Sequence, residues 1–109
     1  MKIDDIPFQV TDWAAVAPTV HPGTTGTAQW RTLQCGAIRV RMVDYSPDYL
    51  ADHWCEKGHI LLCLDGRMDT ELADGSVVTL TPGMSYQVAD GASSHRTRSQ
   101  GGARLFIVD

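Results

Sequence analysis

The sequence predicts an all-β, single-domain, double-sheet jelly-roll barrel, on three observations. Tight-turn dipeptides punctuate the second half every seven to nine residues, at Asp65-Gly66, Asp74-Gly75, Pro82-Gly83 and Asp90-Gly91. About eight short segments between turns alternate or are rich in β-branched residues. Only one stretch has helical character, and it is a single turn long.

The turns come first because they set the rhythm. The chain has no Asn, so Asp, Gly, Pro and Ser must make its turns. Asp-Gly suits hairpins because both central residues tolerate positive φ. The predicted strands are Thr27 to Gln34, Ala37 to Tyr45, His59 to Leu64, Arg67 to Leu72, Ser76 to Leu80, Ser85 to Val88, His95 to Ser99 and Arg104 to Val108. Strands of this number and spacing suit a jelly roll. Thr11 or Asp12 is expected to cap a turn through Trp13, Ala14, Ala15 and Val16, stopped by Pro18. The segment from Thr19 to Thr27 reads as a loop. The chain thus divides into an N-terminal arm, residues 1–26, and a barrel, residues 27–109, within one domain.

At 109 residues the chain fits one domain. Nine basic against thirteen acidic residues give a net charge of −4, which argues against nucleic acid as a partner. Arg39 with Arg41, and Arg96 with Arg98, alternate along predicted strands, and pairs of this kind are usually solvated, the alternative being that either lines a functional pocket. The N-terminus lacks the apolar run of a signal peptide and no segment is long enough to span a membrane, so a cytoplasmic protein is expected. Three cysteines then read as reduced thiols or ligands.

Histidines and cysteines cluster in the chain's centre. His53 and Cys55 stand two apart, so in a strand they would project from the same face. His59, opening the next strand, would fall beside them, and imidazole and thiolate are good ligands for first-row metals. His95 belongs to another strand that sequence alone does not bring near. Asp52 is placed to orient His53 as a hydrogen-bond acceptor, or to cap a turn. Cys63, on the face of His59 and Leu61, reads as a core residue, Cys35 as a turn thiol, Glu56 as a solvated turn residue before a displaced carboxylate ligand, and His21 as a surface loop residue before one near the barrel mouth. Trp30, Trp54, Tyr45, Tyr49, Tyr86 and Met42 are aromatic or sulfur residues of the kind that fill cores, though they could also line a pocket. Ser93-Ser94-His95 lacks the nucleophile elbow of a serine hydrolase.

The run His53-Trp54-Cys55, three residues, His59, six residues, Gly66 resembles the first motif of the cupin superfamily. Cys55 stands in the slot of that motif's second histidine and His59 in the slot of its glutamate. Gly83, five residues, Ala89-Asp90-Gly91, three residues, His95, three residues, Ser99 resembles the second. Ala89 replaces a proline, Ser99 replaces an asparagine, one extra residue precedes His95, and no Gly stands six before His53. The stretches TGTAQWRT, RVRMVDYSPDYLADHWCEKGHILLCL and PGMSYQVAD are similar to a group of small bacterial DHCW motif cupin fold proteins, a group with a fold and no assigned reaction. The named residues stand here in the order Asp52-His53-Trp54-Cys55.

The resemblance implies that His53, Cys55, His59 and His95 converge on one divalent transition metal ion inside the barrel, beside a small-molecule pocket. Zn, Fe, Ni, Mn and Cu are the candidate ions, with Zn or Fe favoured. Four ligands would close a tetrahedron around Zn, whereas Fe, Mn, Ni or Cu would keep positions for a substrate. An oxygenase or isomerase acting on a small metabolite is the first reading, with no catalytic base assigned. The alternative is a non-enzymatic sensor or binding module for a small ligand or metal. A third reading, a metal-free epimerase-like protein with His53 or His95 as base, requires metal to be absent. A homodimer is expected, formed through N-terminal strands, with the apolar residues of Ile3 to Val10 covered by the partner or by the chain's own barrel.

Overall fold

The computed structural model describes residues 2–109. Asp12 caps a 3₁₀ turn at Trp13–Ala15, its side chain accepting from the Ala14 N–H at 3.1 Å. Ten strands follow: β1 (Thr19–Pro22), β2 (Thr27–Cys35), β3 (Ile38–Tyr45), β4 (Tyr49–Leu50), β5 (His59–Gly66), β6 (Met68–Leu72), β7 (Val77–Leu80), β8 (Ser85–Val88), β9 (His95–Ser99) and β10 (Ala103–Val108). They form two antiparallel sheets, β1-β2-β3-β10-β5-β8 and β4-β9-β6-β7. All eight predicted strands are present within a residue or two of their expected ends.

Two strands lie where the sequence predicts none. The expected loop from Thr19 to Thr27 contains β1, which pairs only with β2 and so tolerates Pro22 at a sheet edge. β4 is too short to show a pattern. At the Asp-Gly turns only the glycines take positive φ, so these are not turns with both central residues left-handed. Gly66, at φ 73°, also sits against the Gly102 backbone, where a side chain would collide.

The two sheets bury a core of Ala28, Val43, Leu61, Cys63, Met68, Leu80, Leu105 and Ile107. Alternate residues of each strand point inward, and the register aligns these inward residues across neighbouring strands. Leu105 of β10 pairs with Val43 of β3 and Cys63 of β5. Two residues along, Ile107 pairs with Arg41 and Leu61. Two further on, Asp109 exchanges backbone hydrogen bonds with Arg39, at 2.6 and 2.9 Å. The inward rows are therefore apolar at one end of the barrel and ionisable at the other. Cys63 is a core residue and Cys35, at the end of β2, is buried before the Gly36 turn, as expected.

Candidate metal centre

Three of the four expected ligands come together at the polar end. The ligand atoms of Cys55, His59 and His95 all lie within 4.8 Å of one another, and among the described residues this is the His, Cys and carboxylate group suited to an ion. Backbone pairing accounts for the meeting of distant segments. Cys55 lies outside the named strands but forms an isolated bridge with His95, the Cys55 N–H donating to the His95 carbonyl at 2.7 Å and the reverse bond spanning 2.9 Å. His59 opens β5, and the residue before it must be small. A side chain at Gly58 would stand 2.5 Å from the Asp90 nitrogen and 2.8 Å from the Val88 oxygen.

The outer nitrogens of the two rings decide what the inner ones can do. His95, 3% exposed, has Nδ1 2.9 Å from the Ser93 carbonyl oxygen. A carbonyl only accepts, so the proton of neutral His95 resides on Nδ1 and Nε2 presents a lone pair. His59 Nδ1 faces Asp109 Oδ2 at 3.5 Å, a charge–dipole contact too long for a strong hydrogen bond but favouring a proton on that nitrogen. His59 Nε2 then also presents a lone pair, 2.9 Å from His95 Nε2 and 3.2 Å from the Tyr86 hydroxyl. Two facing lone pairs at this distance, with a thiol beside them, fit a cation with a preference for nitrogen and sulfur. Burial, and then the charge of Cys55, pushes the Tyr86 phenol above its ordinary range, leaving it a neutral O–H donor.

His53 stands outside this group. The backbone bends at Asp52 and His53, so the two-residue spacing to Cys55 does not place both side chains on one strand face. The His53 side chain is 74% exposed at the rim of the cavity, with Nδ1 2.6 Å from Asp52 Oδ1, the orienting contact expected of Asp52. That hydrogen bond lowers the Asp52 carboxyl below its ordinary range.

The group lies in a cavity of about 140 Å³ whose walls include Trp30, Tyr45, Tyr49 and Tyr86. Those aromatics pack against the core as well. Trp54 is partly exposed and lies under Arg96 on the outer face. His21, on β1 and partly exposed, stacks on the cavity residue Trp30 with ring centroids 3.7 Å apart. Of the two readings of Arg39 and Arg41, the pocket-lining one applies and the solvated one does not. Both line the cavity, and Arg41 is 5% exposed with its guanidinium 4.3 Å from the Trp30 ring centre. Asp109, which carried no signal in the sequence, binds both. Arg39 donates from Nε and Nη2 to its two oxygens at 2.9 and 3.1 Å, and Arg41 Nη2 donates at 2.8 Å. Burial alone would raise the Asp109 carboxyl, but His59, Arg39 and Arg41 together hold it well below the usual carboxylate range.

No protein-family model and no curated protein matches the chain. Solved structures do. A predicted oxalate decarboxylase from Thermotoga maritima superposes with a TM-score of 0.77 at 15% identity, covering 92% of this chain and 96% of its own. Ectoine synthase from P. lautus gives 0.74 at 18% identity, over 93% of this chain and 76% of its own. A sugar phosphate isomerase from a cupin superfamily, from Silicibacter pomeroyi, gives 0.67 at 15% identity, over 92% and 74%. At these identities the likeness is one of architecture, and the architecture of this chain is the cupin fold.

Proposed function

We propose that the protein is a small metal-dependent cupin in which Cys55, His59 and His95 hold a divalent transition ion and a small molecule occupies the adjoining cavity. The observation that carries this reading is the convergence of His59 Nε2 and His95 Nε2 at 2.9 Å, with both outer nitrogens facing acceptors. His53 is proposed as the fourth, exchangeable ligand. It lines the same cavity, and its bond to Asp52 through Nδ1 leaves Nε2 for an ion. A thiolate with imidazoles favours Zn or Fe over Mn and disfavours Mg. Such an ion supplies Lewis acidity, and iron adds redox chemistry, to a bound oxygen-bearing substrate. Around it, the protein's own groups orient the ligand: Tyr86 donates a hydrogen bond and the aromatic walls exclude water.

Oxygenase or isomerase chemistry on a small metabolite fits this arrangement. The non-enzymatic binding module is favoured by a different observation. The one carboxylate lining the cavity, Asp109, is tied to two arginines and is a poor base. Elemental analysis of protein purified without added metal tests the metal reading, with about one Zn or Fe per chain expected. Protein that is metal-free and takes up neither ion at micromolar concentration would end it. Oxygen uptake or turnover of the loaded protein then separates enzyme from binder.

A homodimer in the cytoplasm completes the proposal. Phe8 is 99% and Val10 86% exposed, and separately the edge strand β1 leaves one side unpaired, features that a second copy would cover. The three cysteines are free, in keeping with a reducing compartment, and no helix among the described residues is long and apolar enough to cross a membrane. Light scattering that returns a mass near 12 kDa would exclude the dimer.

A further inference from the structure

The inward row of β3 delivers two arginines to the cavity, but the single carboxylate there needs only one. Arg39 already takes both oxygens of Asp109 in a fork, the geometry in which guanidinium and carboxylate satisfy each other. Arg41 adds one bond to the same group through Nη2, and its Nε is buried without any partner. A buried donor left unmade is costly, and although Arg96 Nε is also unpartnered, only Arg41 combines this with a place in the cavity wall, which marks it as more than a structural ion-pair residue. Trp30 covers the flat face of the guanidinium, so its remaining N–H groups point out along the edges, where planar acceptors bind.

Charge and size narrow the ligand further. Arg39, Arg41 and Lys57 line the cavity against Asp109 alone, a positive pocket in a chain whose net charge is −4. Its volume of about 140 Å³ is that of a small cavity, suited to a compact ligand. Val43, Leu61 and Ile107 supply an apolar floor.

We propose that Arg41 is the recognition residue for the carboxylate of a small organic acid of a few non-hydrogen atoms, whose other end meets Cys55, His59 and His95. This rests on the cavity being the ligand site beside the metal, but the carboxylate contact itself does not require the ion. The acid is held with its carboxylate at the Arg41 edge, against Trp30, and its short chain over the apolar floor. Selection is for negative charge and for brevity.

The test uses the full chain, metal-loaded and chelated, titrated with acetate and glycolate and with their neutral counterparts acetamide and glycolamide. Calorimetry gives affinity, and the Arg41 Nε–Hε resonance in NMR reports the contact in wild-type protein. Both acids are expected to bind the chelated protein, to move that resonance, and to bind roughly tenfold or more tightly than the amides. Arg41→Gln is expected to remove that preference. If the variant does not fold, the acid–amide comparison and the resonance in wild type still decide. Amides binding as well as acids, or acids binding with the Arg41 resonance unmoved, overturns the proposal. Arg41-dependent acid binding in a protein that takes up no metal supports the carboxylate site and ends the metal reading alone. Metal uptake with acids indifferent to Arg41 does the reverse.

Discussion

The chain contains two arginine pairs of identical spacing, Arg39 with Arg41 on β3 and Arg96 with Arg98 on β9, and they lead opposite lives. On β9 the inward residues are His95, Thr97 and Ser99, all buried, so the arginines fall on the outer face. Arg96 lies 3.9 Å from Glu71 and over the Trp54 ring, and Arg98 lies 3.8 Å from Asp69. Such contacts contribute little in water. On β3 the phase is reversed, and the inward row reads Arg39, Arg41, Val43, Tyr45. The same side chain lies on the outer face of one strand and lines the inner cavity from the other, where Arg41 is buried. A one-residue difference in phase, not composition, separates surface from site.

The comparison can be broken most severely through Asp109, whose side chain is 1% exposed. Asp109→Ala strands two cavity-lining guanidinium groups and is expected to cost about 3–5 kcal/mol in urea denaturation. A loss below about 1 kcal/mol would mean that the β3 pair is as well solvated as the β9 pair. Next in size is the ion. At a metal concentration a hundredfold above Kd, binding stabilises the fold by about 2.7 kcal/mol. Chelation should therefore lower the thermal midpoint, and Cys55→Ser should abolish most of that difference while Arg98→Ala preserves it.

Thiol chemistry sharpens the contrast without unfolding anything. Cys55 should be alkylated slowly in metal-loaded protein and quickly after chelation, because a coordinating thiol is held by its ion. Cys35 and Cys63, both buried, should react slowly in either state. Equal rates at Cys55 with and without metal would show that its sulfur is not a ligand. The smallest effect belongs to the outer face. Arg98→Ala should change stability by no more than about 0.5 kcal/mol, by the same denaturation measurement.

Legibility in the sequence followed physical strength of pattern. The eight longer strands could be read because alternation and turn dipeptides agree. β1 was hidden by Pro22 and β4 by having two residues. Cys55, His59 and His95 were legible through spacing that resembles a known motif, although only the Cys55–His95 bridge explains their meeting. His53 was read by a strand rule that does not hold at a backbone bend. Arg41 was read as solvated before pocket-lining because a charged residue on a strand is usually outside. Its parity with Val43 and Tyr45 was the available signal. Asp109 shares parity with Leu105 and Ile107, but a lone acid after an apolar strand has no pattern to betray it.

The bridge between Cys55 and His95 also sets a rule for timing. Each residue's amide is bonded to the other's carbonyl, so the segment that carries the thiol and the strand that carries the imidazole are latched as one unit. With the bridge closed the two side chains start from fixed backbone positions, and its opening is expected to move both of the proposed ligands together. Local opening of a few residues, far smaller than unfolding of the barrel, is therefore expected to release the proposed ion from both ligands in one event.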